Sequence, residues 1–196
     1  MKKSILFSVA VALFISAAGF GQSGSKLVST KTQIKFFSST PAEDIEAQNT
    51  ASVSTIEKGT GDVVFSVPMQ GFEFEKSLMQ KHFNNDKFLD TKAFPDAKLK
   101  AKISNLESID FATDGSYPAT VKGELIIKGK TNPISEIGTL TVKGNLVSIE
   151  STFDITLADY GITFVKGKPS TNIARTVQVT VRAQQRYTPY GVSADA

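Results

Sequence analysis

Beyond residue 25 the chain alternates apolar and polar positions, the period of strands that bury one face. Residues 26–37 set Leu27 and later Ile34 and Phe36 against polar neighbours, and residues 50–57 alternate more weakly through Val53 and Ile56. Val63, Phe65, Val67 and Met69 share one face, and Pro68 should end or edge that strand because it cannot donate to a ladder. Lys98, Lys100 and Lys102 alternate with Leu99, Ala101 and Ile103, which reads as lysines to solvent and apolar groups to a core. Val121, Gly123, Leu125 and Ile127 run up to a turn signal at 129–133, the chain resumes through 137–142, and Gly144-Asn145 marks another turn. Val147, Ile149, Ser151, Phe153, Ile155 and Leu157 then share a face, and Val177, Val179, Val181 and Ala183 close the domain. About eight strands with frequent turns favour an antiparallel barrel or sandwich.

One stretch, 72–99, breaks this pattern. From Ser77 the apolar residues Leu78, Met79 and Phe83 follow Phe74 at helical spacing, with His82 one turn after Leu78. Ser77 is a candidate N-cap, and Asn84 or Asn85 could stop the helix in the left-handed conformation, leaving two or three turns. Phe88, Leu89 and Phe94 follow directly. So many large apolar side chains need a surface to cover, and the spacing predicts a short helix that caps the open end of a barrel.

The start of the chain changes where this domain is expected to work. Met1-Lys2-Lys3 and the apolar run 5–18, with small residues at Ala17, Ala18, Gly19 and Gly21, have the form of a secretory signal peptide. The run is shorter than the roughly 20 residues of a membrane span. The expectation is a signal peptide over 1–21, a single domain over 22–196, and a periplasmic or secreted protein. Loss of Lys2 and Lys3 lowers the net charge from +3 to +1, and no block of basic residues suits a nucleic acid. Cysteine is absent, so core burial and sheet hydrogen bonds must hold an exported fold without covalent staples. Trp is also absent and eleven of the fourteen Phe residues lie beyond the leader, which predicts a core rich in Phe.

Few residues offer chemistry. One His and no Cys cannot build an ordinary structural zinc site or a three-His catalytic one, and G-x-S-x-G is missing. Gly59-Thr60-Gly61 begins like a dinucleotide loop, but Val64 stands where the third Gly belongs; 161–168 just misses a phosphate loop, with Gly167 one place late and Pro169 for Ser or Thr. Both read as turns. Glu73 and Glu75 lie on one side of a strand, as a solvated face would place them. No catalytic residue and no metal ligand is therefore assigned.

Four separated segments carry a resemblance. Phe36-Phe37-Ser38-Ser39 with Pro41, Glu43, Ile45 and Ala47; Leu78 to Phe83 with Phe94-Pro95-Asp96-Ala97 and Leu99; Gly123 to Thr131; and Phe153-Asp154-Ile155 with Asp159-Tyr160-Gly161-Ile162 together resemble the YceI-like family of lipid- or polyisoprenoid-binding proteins. The resemblance covers nearly the whole domain in the expected order. It implies an all-β fold, an antiparallel eight-stranded lipocalin-like β-barrel with one short capping helix, and a non-enzymatic carrier of polyisoprenoids, isoprenoid quinones or other long-chain lipids. An eight-stranded barrel can fill itself with side chains or hold one apolar ligand. At about 0.3 kcal/mol per atom, a tail of about thirty carbons would contribute on the order of 9 kcal/mol.

The residues expected to contact the tail are Phe36, Phe65, Val67, Phe72, Phe74, Leu78, Met79, His82, Phe83, Phe88, Leu125, Ile127 and Phe153. His82 either meets a head group at the mouth or is a partly exposed structural residue. No cofactor is implied other than a bound isoprenoid or similar lipid. The expected partner is that long-chain isoprenoid or fatty-acid-like ligand and not a nucleic acid, with transient membrane contact and a homodimer left open. The alternative is a packed β-barrel interaction module of the cell envelope with no small-molecule ligand.

Overall fold

The computed structural model describes residues 26–163 and 173–187. The expected leader, the 22–25 linker, the 189–196 tail and most of the phosphate-loop near miss lie outside these residues. Among the described residues, ten strands and one α-helix follow in order: β1 (Lys26–Ser39), β2 (Asp44–Asn49), β3 (Val53–Glu57), β4 (Asp62–Pro68), β5 (Phe72–Phe74), α1 (Ser77–Asn84), β6 (Asp96–Ile103), β7 (Gly115–Ile127), β8 (Lys130–Lys143), β9 (Leu146–Thr156) and β10 (Thr176–Tyr187). Every pairing is antiparallel. Pairing of β10 with β1 closes β1, β3, β4, β6, β7, β8, β9 and β10 into an eight-stranded barrel, and β2 and β5 extend its wall beside β1.

The extension arises from two corners. β1 pairs with β3 at its start and with β2 at its end, so β2 and β3 form one course bent at 50–52, and β4 bends likewise into β5. Asn49 fixes both corners. It is fully buried, its amide donates to the Pro68 carbonyl at 2.6 Å, and its Oδ1 accepts from Ala51 N and Ser52 Oγ, each at 2.9 Å. Pro68 ends β4, as its missing donor requires.

β2 is a strand that the weak alternation of Ile45 and Ala47 did not announce. In β3, Ser54 and Ile56 face inward while Val53 is exposed, so packing overrides the apolar character of Val53. The expected turn at 129–133 is shorter than its residues suggest. Lys128 and Gly129 alone make it, both at positive φ, and Lys130 to Pro133 already belong to β8. The helix also ends differently from expectation. Lys76, not Ser77, is its N-cap and makes no side-chain cap, while Asn85 at the C-cap is extended rather than left-handed. The Asn84 amide instead donates back to the Gln80 carbonyl, and the Asn85 side chain accepts from Lys87 N. These local bonds compete with the left-handed stop.

Inward residues differ by level. At the end that carries the β8–β9 turn, Leu27, Ile56, Ile103, Leu140, Val142, Val147 and Ala183 are buried and packed. At the α1 end, Phe36, Phe74, Leu99, Leu125, Ile127 and Phe153 are only partly buried although they face inward.

Candidate functional site

The partly buried inner faces surround a hollow of about 750 Å³ that opens beside α1. Its floor is set by Ile56, Ile103, Ala119 and Leu140, and its wall rises along the inner faces of β1, β4 and β6 to β10. The volume lies within the roughly 300–1,000 Å³ of small-molecule sites. Period-two alternation supplies this wall, since each barrel strand contributes every second side chain.

A cluster of five Phe rings stands at the mouth. Phe36 and Phe83 are stacked with centroids 5.7 Å apart and planes 12° apart. Phe72 and Phe74 approach Phe36 at 5.4 and 5.6 Å and Phe83 at 5.4 and 5.0 Å, and Phe88 lies 6.3 Å from Phe83. The cluster joins β1, β5, α1 and the loop after it. That loop is anchored by the Thr91 hydroxyl, which donates to Asn84 Oδ1 at 2.9 Å, and by the Lys128 ammonium, which donates to the Phe88 carbonyl. Phe94 packs against Gly129, where an added Cβ would lie 2.8 Å from the ring. α1 and its exit loop therefore run from the edge of β5 to the β7–β8 turn along one side of the mouth.

Twelve of the thirteen predicted contact residues line the hollow: Phe36, Phe65, Val67, Phe72, Phe74, Met79, His82, Phe83, Phe88, Leu125, Ile127 and Phe153. Leu78 does not, and it is 61% exposed. It sits five residues before Phe83, which places it about 140° around the helix axis. With Phe83 turned inward, Leu78 faces solvent. His82 stays exposed at the rim.

Ile134, Glu136, Ile149, Val177 and Val181, none of them among the expected contact residues, also line the hollow. Parity along β9 and β10 could have supplied Ile149, Val177 and Val181. Ile134 and Glu136 required the register of β8, which the 129–133 turn assignment concealed.

Polar groups are few and placed at the edges. Lys76 reaches Glu43 at 2.7 Å and ties the start of α1 to the segment between β1 and β2; that hydrogen bond and the attraction of Glu43 raise the Lys76 pKa. Ser38 is buried and its hydroxyl accepts from Ala174 N at 2.8 Å, holding the entry to β10. Asn85, Lys87 and Lys98 stand at the mouth, and Glu136, Thr139 and Ser151 lie on the β8–β9 side. Tyr160 is buried in the single-turn 3-10 helix Leu157–Tyr160 near β8, and burial raises its phenol pKa, with a smaller push from Asp159. Among the described residues no group of three or more His, Cys, Asp or Glu side chains could hold a metal ion.

Comparison with known proteins agrees with this architecture. The model of the YceI-like domain matches residues 16–185. A polyisoprenoid-binding domain from Saccharophagus degradans, implicated in plant cell wall breakdown, superposes with a TM-score of 0.70 at 12% identity, covering 84% of this chain and 99% of its own. BcnA from Burkholderia cenocepacia gives 0.64 at 16% identity, covering 78% and 95% respectively. The Campylobacter jejuni YCEI protein gives 0.56 at 12% identity, covering 96% and 99%. At these identities the likeness is one of fold. A search of curated proteins finds no match.

Proposed function

This chain belongs to the YceI-like domain family, and from that premise we propose that it is a non-enzymatic carrier. It holds a polyisoprenoid, an isoprenoid quinone or a similar long-chain lipid in the hollow, and it works in the periplasm or outside the cell after export. The observation that carries the reading is the apolar hollow itself, ringed at its mouth by Phe36, Phe72, Phe74, Phe83 and Phe88. A prenyl tail needs many carbon contacts and few hydrogen bonds, which inward Phe, Leu, Ile and Val provide. Met79, unbranched and polarisable, adapts to an irregular tail.

The Saccharophagus domain of the same fold is a polyisoprenoid-binding one, which lends support to the same ligand class here. Loading would bring the mouth to a membrane, where exposed Leu78 and Lys81 on α1 suit a transient contact. The open interior weighs against a packed interaction module.

Organic extraction of protein purified from its native host, read by mass spectrometry, tests the proposal. The expected result is a long-chain lipid at a stoichiometry near one. Repeated lipid-free preparations, with no uptake of added lipid, would overturn it and favour the packed-barrel alternative.

A further inference from the structure

Among the described residues, the β-ladder of the barrel wall is incomplete on one side. β8 and β9 pair only from Gly138–Ser151 down to Lys143–Leu146, whereas β8 stays paired with β7 up to Lys130 and β9 with β10 up to Thr156. Among the described residues, no strand joins 130–137 to 152–156. The two strands part above Gly138, where a Cβ would meet Glu150 O at 2.9 Å and Ser151 Cβ at 3.1 Å, so glycine permits the last close approach. Below the opening, the Ser151 hydroxyl donates to the Ile137 carbonyl at 3.1 Å, at the point where the ladder stops. Above it, the Asn132 amide donates to the Asp159 carbonyl at 2.9 Å. These two bonds bound a window about 17 Å long, at about 3.4 Å per residue. Pro133 lies within it. The two-residue β7–β8 turn makes Ile127–Lys130 a hydrogen-bonded pair, so alternation turns the donor-less nitrogen of Pro133 toward the window.

Among the described residues of β8 and β9, Glu136 is the charged side chain that both lines the hollow and borders this opening. Glu136 shares the inward parity of Ile134 and Gly138, lies opposite Val121 and lines the hollow next to the window. Among the described residues its carboxylate has no ion pair or hydrogen bond. A carboxylate accepts hydrogen bonds and repels anions, and it is costly to desolvate without a donor. A tail that fills the hollow would desolvate it.

Resting on the carrier reading, we infer that the window holds the ligand's polar end, and that Glu136 selects a head group that donates hydrogen bonds and carries no negative charge, a hydroxyl or an amine. The tail then runs from Glu136 toward the Phe cluster.

Isothermal titration calorimetry with geranylgeraniol, geranylgeranylamine and geranylgeranyl phosphate tests this, because the three share one tail. The alcohol and the amine should bind about tenfold or more tighter than the phosphate, the range of a hydrogen bond to a charged group. Glu136→Leu should erase that order. Glu136→Gln, which keeps the shape and an acceptor, should hold the alcohol within about threefold while removing the advantage of the amine. Equal binding of all three to the wild type, or an order unchanged by Glu136→Leu in a protein with an intact circular dichroism spectrum, would overturn the head-group assignment and leave the carrier standing. Failure of all three to bind would overturn both.

Discussion

The two ends of this barrel follow the same alternating pattern and do opposite things. At the β8–β9 turn end, β1 pairs with β3 and β8 with β9, so the ring is tight and Leu27, Ile56, Leu140 and Val147 meet across it. At the α1 end the same ring is wider. There β1 pairs with β2, β5 follows β2 away from β6, and β8 has left β9. The hollow lies between the walls, and large residues such as Phe153 and Leu125 that line it remain partly uncovered. Hydrophobicity is alike at both ends; the circumference of the ring decides whether an inward side chain becomes core or cavity wall.

The sharpest way to break this contrast is to remove side chains from each end. Leu140→Ala, in the packed floor, should cost about 3–4 kcal/mol, the usual loss for a buried Leu. Phe153→Ala, on a wall that already faces open space, should cost about 1–2 kcal/mol despite its larger volume, because fewer contacts are lost. Denaturant unfolding with unchanged m-values would read both. Equal losses would show that the α1 end is as tightly packed as the floor.

Addition rather than removal sharpens the same point at lower cost. Met79→Trp and Phe83→Trp place extra volume at the mouth, where both residues line the hollow. Each should lower lipid binding by about tenfold or more while changing stability by about 1–3 kcal/mol. The control is Leu78→Trp, on the outward face of the same helix, which should leave binding nearly untouched. If all three variants bind alike, the helix does not border the ligand.

The pattern that made the fold legible is also why the site was only partly so. Alternation in 63–69, 98–103, 146–157 and 177–183 identified strands and their inner faces, because period two is fixed by backbone geometry whatever the sheet's curvature. β2 was hidden because Ile45 and Ala47 are its only apolar markers, and it exists through pairing with β1 and β5. Glu136 was hidden for a related reason. Asn132 and Pro133 read as turn residues, yet they sit in a strand whose edge toward β9, unpaired among the described residues, tolerates a proline, and this displaced the inferred start of β8. Leu78 was misplaced because helical spacing marks a face without saying how far it extends; Phe83 fixed the rotation, and Leu78 fell outside the buried arc. The widening of the ring had no local signature, since it follows from which strands are neighbours.

Titration offers the finest probe of the two ends. Near the packed end, exposed Asp62 opens β4, where a hydrogen bond from the Thr60 hydroxyl, then one from Lys102, lowers its pKa below 3.8. At the α1 end, burial raises the pKa of Tyr160 above 10.0, and the nearby Asp159 adds to it. The two groups act in opposite directions. As pH falls below 3.8 the unfolded chain takes up the Asp62 proton first, so any stability from this pair is lost on acidification. As pH rises above 10.0 the unfolded chain loses the Tyr160 proton first, and stability is lost on alkalinisation. The solvent-exposed Asp62 pair should give a change too small for unfolding curves to resolve, visible only as a carboxyl titration that Lys102→Ala moves back toward 3.8. Tyr160 should appear in an ultraviolet titration as a phenol ionising late, identified by its loss in Tyr160→Phe, and Asp159→Asn should bring it only partly back because burial is the larger cause. Full return to 10.0 in Asp159→Asn would mean that charge rather than burial governs this corner, and that the 3-10 turn beside β8 is open to water.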